Sequence, residues 1–346
     1  MNRKLLYPVS VCFFCLTLPV FAQQGSNRHI TLEAVVTAKD GKPVRGLTEN
    51  DFTIIDNKTP QKLEIFQPVE GTSAGAGATV TVETILLIDR VNTSFQVAND
   101  ERTRLLKYFR QTEGKLPQPV SLVFFSDSGT KLQSASRDGN VLADALDHSD
   151  NSLPVSRRGQ GILGYAQQAQ MSLSTLNSVA ALEAKKPGRK VLIWLSAGWP
   201  PISGPQHQST AQDHKRWFES IVETSNALLQ AHITLYTIDP IGMEDASQFK
   251  AGQYDPYLKW VAAPSKAEAD NLALAVLVNH TGGRTLSASN DVASQIADCA
   301  SDQIAYYIIS YAASPATAPN EFHGIEIKLD KPGLKARALN GYYSQP

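Results

Sequence analysis

TILLIDRVNTS, from Thr84 to Ser94, begins as an unbroken run of β-branched and aliphatic side chains and carries Asp89, Asn92, Thr93 and Ser94 beyond Ile88. A strand without a polar face must be covered on both sides, so the segment reads as an inner strand of a parallel sheet with polar residues gathered at its carboxyl end. The pattern recurs in Val120 to Phe125 (VSLVFF), Lys190 to Leu195 (KVLIWL) and Ile233 to Ile238 (ITLYTI). Between these runs the apolar spacing becomes that of helices, over Asn99 to Arg110, Val141 to Leu146, Ile162 to Ala184 and Ala211 to Ala231. Asn99 or Asp100 is the expected N-cap of the first, and Pro187-Gly188 stops the third. Lys131 to Ala135 adds a short edge strand, and Lys266 to Asn279 a helix closed by Thr281-Gly282-Gly283. Arg284 to Ser287 and Ile304 to Tyr311 add strands around a helix from Asp291 to Ala300. Alternation of this kind predicts an α/β fold with a doubly wound, mostly parallel sheet and any site at the carboxyl ends of its strands.

The flanks read differently. HITLEAVVTA, His29 to Ala38, alternates with period two before an Asp40-Gly41 turn, while Asp51 to Asp56 (DFTIID) and Leu63 to Phe66 alternate around Asp56-Asn57-Lys58 as a second hairpin. GTSAGAGA, Gly71 to Ala78, has the composition of a flexible linker. Gly324 to Leu329 and Leu334 to Leu339 alternate around Lys331-Pro332-Gly333, a terminal hairpin. A lone hairpin is marginal in water, so the two ends of the chain are expected to pack together as an ancillary β segment. The expected organisation is a signal peptide over residues 1–22, an N-terminal β segment over 23–70, a linker over 71–79, the α/β unit over 80–313, and a C-terminal β hairpin over 321–346 pairing with the N-terminal segment.

Residues 1–24, MNRKLLYPVSVCFFCLTLPVFAQQ, place Arg3 and Lys4 before an apolar run and Val20-Phe21-Ala22 before a polar residue. That is the plan of a secretory signal peptide cleaved after Ala22, and the run, broken by Pro8, Ser10 and Pro19, is too short for a membrane span. The mature protein is therefore expected to be exported, in the periplasm or outside the cell, with no transmembrane span after cleavage. Cys12 and Cys15 leave with the signal, and Cys299 alone cannot staple its own chain. With 346 residues, 42% of them hydrophobic, the chain can bury its own core without disulfides. Its 32 basic and 33 acidic residues give a formal charge of −1, without the basic excess that nucleic-acid binding requires.

Asp89 ending the first inner strand, Phe125-Ser126-Asp127 ending the next, and Leu195-Ser196-Ala197-Gly198 ending a third give the α/β unit a resemblance to von Willebrand factor type A domains. The flanks add VVTAKDGKPVRGLTENDFTIIDNKTPQKLEIF (Val35 to Phe66), TGGR (Thr281 to Arg284), YYIISY (Tyr306 to Tyr311) and NGYYS (Asn340 to Ser344). Together they resemble the VWFA-related family described from acidobacteria, over nearly the whole mature chain. The resemblance implies a type A-like fold, export, and a strand-end face on which Mg²⁺ or Mn²⁺ is held by an Asp-x-Ser-x-Ser loop, a Thr and a distant Asp. This chain departs from that pattern. Asp89 and Thr93 keep a carboxylate and a hydroxyl, but Val91 and Ala197 replace oxygen ligands, and LPVSRRGQG (Leu153 to Gly161) offers only Ser156 beside Arg157 and Arg158. Hard divalent cations need several oxygen ligands, so the site is degenerate. No cofactor is expected, Mg²⁺ or Mn²⁺ at Asp89 and Thr93 being the alternative.

Other motifs carry less. Gly159-Gln160-Gly161-Ile162-Leu163-Gly164 has dinucleotide-loop spacing, but no strand precedes it and Glu183 lies in a helix, so its glycines read as opening the long helix. Ser196 lacks the first glycine of a hydrolase elbow, Trp194 standing there. His207 and His214 lack zinc spacing, while His148, His232, His280 and His323 are isolated and read as surface or capping residues. Trp199 with Pro200 and Pro201, and Tyr254 with Tyr257, are candidates for an apolar recognition surface. The sequence thus points to an exported, non-enzymatic protein-binding module of adhesion type, with Asn92, Ser94, Ser156, Arg158, Ser196 and Trp199 as partner-binding candidates. A metal-dependent adhesin and an exported hydrolase are the alternatives. Intact-mass analysis of protein expressed with its signal should give a mature chain beginning at Gln23, and stable Met1-containing protein in the membrane would refute export by cleavage.

Overall fold

The computed structural model describes residues 29–70, 82–150, 161–203, 209–239, 252–286 and 291–346. The expected signal peptide and the 71–79 linker lie outside them. The strands are β1 (His29–Thr37), β2 (Phe52–Asp56), β3 (Thr59–Gln61), β4 (Ile65–Glu70), β5 (Val82–Asp89), β6 (Lys115–Ser126) and β7 (Gly129–Asp138). They continue with β8 (Arg189–Leu195), β9 (Ile233–Ile238), β10 (Thr285–Leu286), β11 (Ala305–Ala312), β12 (Glu321–Leu329), β13 (Lys335–Arg337) and β14 (Gly341–Ser344). The helices are α1 (Phe95–Arg110), α2 (Gly139–Asp150), α3 (Ile162–Glu183), α4 (Ala211–Gln230), α5 (Leu274–His280) and α6 (Val292–Ser301).

The central sheet has the order β10-β9-β8-β5-β6-β7, parallel throughout except for β7, which folds back antiparallel on β6. The alternation of β5 explains its sequence. Ile85 and Leu87 pack with residues of α3, α4 and α5, whereas Leu86 and Ile88 pack with residues of α1, α2 and α6. Both faces are dry, and the fold is the doubly wound α/β arrangement that the continuous apolar runs imply.

Two four-stranded sheets flank it, ordered β13-β1-β11-β4 and β14-β12-β2-β3. Ile30, Leu32, Ala34 and Val36 of β1 meet Phe52 and Ile54 of β2, Tyr307, Ile309 and Tyr311 of β11, and Ile325 of β12 in one core between them. Chain ends interleave: β12 pairs with β2 and β14, while β1 pairs with β11 and β13.

Several local expectations are corrected. Ile304 to Tyr311 adds its strand to a flanking sheet, between β1 and β4. It reads as a central strand because both its faces are covered, Tyr307, Ile309 and Tyr311 by the flanking core and Tyr306 by the Arg189 guanidinium, 4.6 Å from the ring centroid. The strands either side of Lys331-Pro332-Gly333 diverge into different sheets instead of pairing as a hairpin. Asp56-Asn57-Lys58 does turn β2 back, with Asn57 and Lys58 at positive φ, but onto β3, and Ile65–Glu70 departs to pair with β11. Helix α1 starts at Phe95 and is capped by Ser94, whose hydroxyl accepts from the Val97 amide, five residues ahead of Asn99, the first of the two expected caps. Lys266 to Asn279 is α-helical only from Leu274, after a 3-10 turn over Ala269–Leu272, because extended Ala273 breaks the run.

Two buried polar hubs join these layers. The Asp56 carboxylate accepts from the Tyr311 hydroxyl at 3.0 Å, the Tyr342 hydroxyl at 2.8 Å and His323 Nδ1 at 2.9 Å, so β2, β11, β12 and β14 meet at one group. Asp302 Oδ2 accepts from the Tyr236 hydroxyl at 2.7 Å and an Arg337 guanidinium nitrogen at 2.8 Å, and its carbonyl accepts from Arg189 at 2.9 Å, tying the central sheet to the C-terminal segment. Gly282, at φ +79°, fits beneath that segment because a Cβ there would lie 2.4 Å from the Ala338 backbone. YYIISY, TGGR and NGYYS therefore supply joints between layers. Truncating Asp56 to Ala strands three buried donors, and should lower the unfolding free energy in urea by about 3–5 kcal/mol, against about 1 kcal/mol for Tyr311→Phe. A loss below about 1 kcal/mol for Asp56→Ala would show that the hub is dispensable.

Candidate functional site: the strand-end face

Strands β5, β6 and β8 end together at Asp89, Ser126 and Leu195, with Ser196 directly after β8. Asp89 is fully buried. Its Oδ1 accepts from the backbone amides of Val91 and Asn92 at 2.8 and 2.9 Å, and its Oδ2 from Asn92 Nδ2 and Trp194 Nε1 at 2.7 and 2.8 Å. Burial pushes the carboxyl pKa up, and these four donors pull against it. The other Asn92 Nδ2 proton goes to Ser172 Oγ at 2.9 Å, Ser172 Oγ donates to the Gln168 carbonyl, and Gln168 Nε2 donates to the Val91 carbonyl at 3.2 Å. The loop after β5 is thereby fastened to the first half of α3.

Chemically, this arrangement answers a buried carboxylate with N–H donors. All the lone-pair directions of a carboxylate are engaged, and Trp194 contributes its donor from the neighbouring strand while its ring makes edge contacts with Phe125 and Trp199, each at 6.1 Å between centroids. Val91 points into the apolar core, 3% exposed. Thr93 Oγ1 and Asn92 Oδ1 are buried without hydrogen-bond partners among the described residues. Among the described residues no group of three or more His, Cys, Asp and Glu side chains is placed to hold a metal ion.

The other candidates separate. Asn92 belongs to the Asp89 cluster, and Ser94 caps α1. Ser196 is buried, its Oγ accepting from the Gly198 amide at 3.0 Å and its carbonyl from the Thr237 hydroxyl, so it shapes the turn after β8. Trp199 is 2% exposed and packs in the core, which corrects its reading as recognition surface; its carbonyl accepts from the Tyr254 hydroxyl at 3.0 Å. Phe95, at the start of α1, is 68% exposed. Ser156 and Arg158 lie outside the described residues, as does His207. The histidines read as isolated are not all so: His232 Nδ1 lies 2.8 Å from Glu33, His323 joins the Asp56 hub, and His280 is buried against Trp260. The residue that sequence reasoning missed is Trp194. Its signal was present, since one indole N–H in the aliphatic strand KVLIWL must find a buried acceptor.

No family model and no curated relative matches the chain. Among solved structures, it is similar to an aerotolerance-related membrane protein from Bacteroides fragilis at 12% identity, covering 65% of this chain and 98% of that one with a TM-score of 0.33. The SpRpn10 VWA domain is 10% identical over 63% of this chain and 94% of its own, with a TM-score of 0.30. The pilus adhesin SpaC from Lactobacillus rhamnosus GG, in its open conformation, is 11% identical over 89% of this chain and 48% of its own, with a TM-score of 0.33, so the chain spans about half of that adhesin. At such scores these likenesses carry nothing about what the protein does.

The Asp89 cluster makes a quantitative expectation. Trp194→Phe removes one donor from a buried carboxylate and leaves a small void, and should cost about 2–4 kcal/mol in denaturant unfolding. A cost within about 0.5 kcal/mol of zero would mean that the indole N–H does not hold the site together.

Proposed function

We propose that the protein is an exported, non-enzymatic binding module of the VWFA-related kind, engaging a protein partner through the strand-end face without a tightly bound metal. The observation that supports this reading is the state of Asp89. Its two oxygens are taken by four N–H donors, so the group that a type A-like face would use for Mg²⁺ or Mn²⁺ is already engaged from within. Val91 and Ala197, where oxygen ligands would stand, weaken a cation further. What remains outward at this end is a polar and aromatic rim including Ser94, at the α1 N-terminus, and exposed Phe95.

Capture of envelope proteins by the immobilised mature protein tests the reading. A partner should be retained in EDTA, and lost several-fold with Phe95→Glu but not with Lys335→Glu in the flanking sheet. Calorimetric titration should give no saturable Mg²⁺ or Mn²⁺ site in the micromolar range. A stoichiometric site abolished by Asp89→Ala, or capture that needs added Mg²⁺, would replace this reading with a cation-dependent adhesin.

A further inference from the structure

The stretch from Gly252 to Val261 runs as a strap between two distant parts of the molecule. At one end the Tyr254 hydroxyl donates to the Trp199 carbonyl at 3.0 Å, in the loop after β8. At the other end Trp260 lies flat on His280, with ring centroids 3.8 Å apart and planes 9° from parallel, and its Nε1 donates to Asn340 Oδ1 at 2.7 Å. The Asn340 amide in turn donates to the His280 carbonyl at 3.2 Å, and the Tyr343 hydroxyl to the Val261 carbonyl at 2.9 Å. Gly341 makes room for this, since a Cβ there would lie 2.6 Å from Phe322 and 2.9 Å from Trp260. Strap, helix α5 and the last strand therefore close on one imidazole.

That imidazole is 3% exposed. Its Nε2 donates to the Leu258 carbonyl at 3.0 Å, and its Nδ1 is buried with no partner among the described residues. Among the described residues no carboxylate acts on it. The strap presents the Leu258 carbonyl and the Trp260 indole, with Lys259 exposed to solvent; the C-terminal segment presents Asn340; β12 brings Phe322 against the same indole; and on the glycines after α5 the nearby cation is Arg337, bonded to the Gly282 carbonyl at 3.1 Å. A proton on Nδ1 would thus create a buried cation whose new donor finds no acceptor. Stacking on the indole attracts an imidazolium, but less than the desolvation of an unpaired charge repels it.

We propose that the clasp of His280, Trp260 and Asn340 is an acid-sensitive latch: protonation of His280 releases the strap from the C-terminal segment and with it the tether that the strap holds on the loop after β8. The latch stands independently of any partner on the strand-end face. Burial lowers the His280 pKa to about 4, with the Leu258 hydrogen bond opposing. The sign follows. The closed latch keeps its full stability above the free-histidine value of about 6.5 and loses it as pH falls towards the closed-state value, the opening equilibrium rising close to tenfold per pH unit in between.

Hydrogen exchange of the mature protein, corrected for intrinsic rates, tests this together with an NMR titration of the His280 ring. Opening of peptides spanning 252–261 and 338–346 should rise about 20-fold between pH 7 and pH 5 while those of β5 and β8 stay protected. His280→Phe, which keeps a ring on Trp260, should abolish that dependence. If the variant does not fold, the wild-type measurements decide alone. A His280 ring titrating at or above pH 6.5, opening of the strap only together with β5 and β8, or an unchanged pH dependence in His280→Phe would each overturn the latch.

Discussion

A carboxylate carried into the middle of a sheet has to be answered, by a cation or by donors, and in this protein Asp89 is answered by donors. That choice organises the strand-end face. Two of the four donors are the amides of Val91 and Asn92, so the carboxylate also fixes the turn leading to the Ser94 cap of α1. The third, from Asn92, passes the constraint to Ser172 and Gln168 of α3, and the fourth, from Trp194, reaches across to β8. These internal donors give a closed cluster with Ser94 and Phe95 exposed beside it, and the proposed function rests on that arrangement.

The same physics recurs where the flanking sheets meet each other and where they meet the centre. Asp56 and Asp302 are each almost completely buried, and each gathers donors from segments far apart in the chain, Tyr311, His323 and Tyr342 for one, Tyr236, Arg189 and Arg337 for the other. Apolar surface alone would let the two small sheets slide, because burial is non-directional. A buried group that must satisfy several partners at once admits far fewer arrangements, which makes these hubs the natural anchors of the interleaved chain ends. His280 is a further buried polar ring, with one nitrogen lacking a partner among the described residues, and it stands where the strap meets the C-terminal segment.

Much of the fold was legible in the sequence and much of the site was not. TILLI, VSLVFF, KVLIWL and ITLYTI dictate strands covered on both faces, because both faces of each carry apolar side chains, and the alternating helices then leave a doubly wound sheet as the economical packing. Period two at His29 to Ala38 and at Asp51 to Asp56 likewise dictates half-buried strands. The loss of oxygen ligands at Val91 and Ala197 could be read directly, since neither side chain can coordinate a cation. Partner choice could not. YYIISY has the composition of a central strand, yet β11 lies between β1 and β4, since burial on both faces says nothing about which layers do the burying. Leu334 to Leu339 alternates as a hairpin arm, yet its core pairs with β1, because strand pairing is settled by competition among all available edges. Trp194 and Asp89 stand 105 residues apart in sequence, and only the parallel register of β5 and β8 brings an indole donor onto a carboxylate. Local pattern fixes which faces a segment must hide; which residues then meet is decided by the packing of the whole chain, where each buried polar group must find its partner.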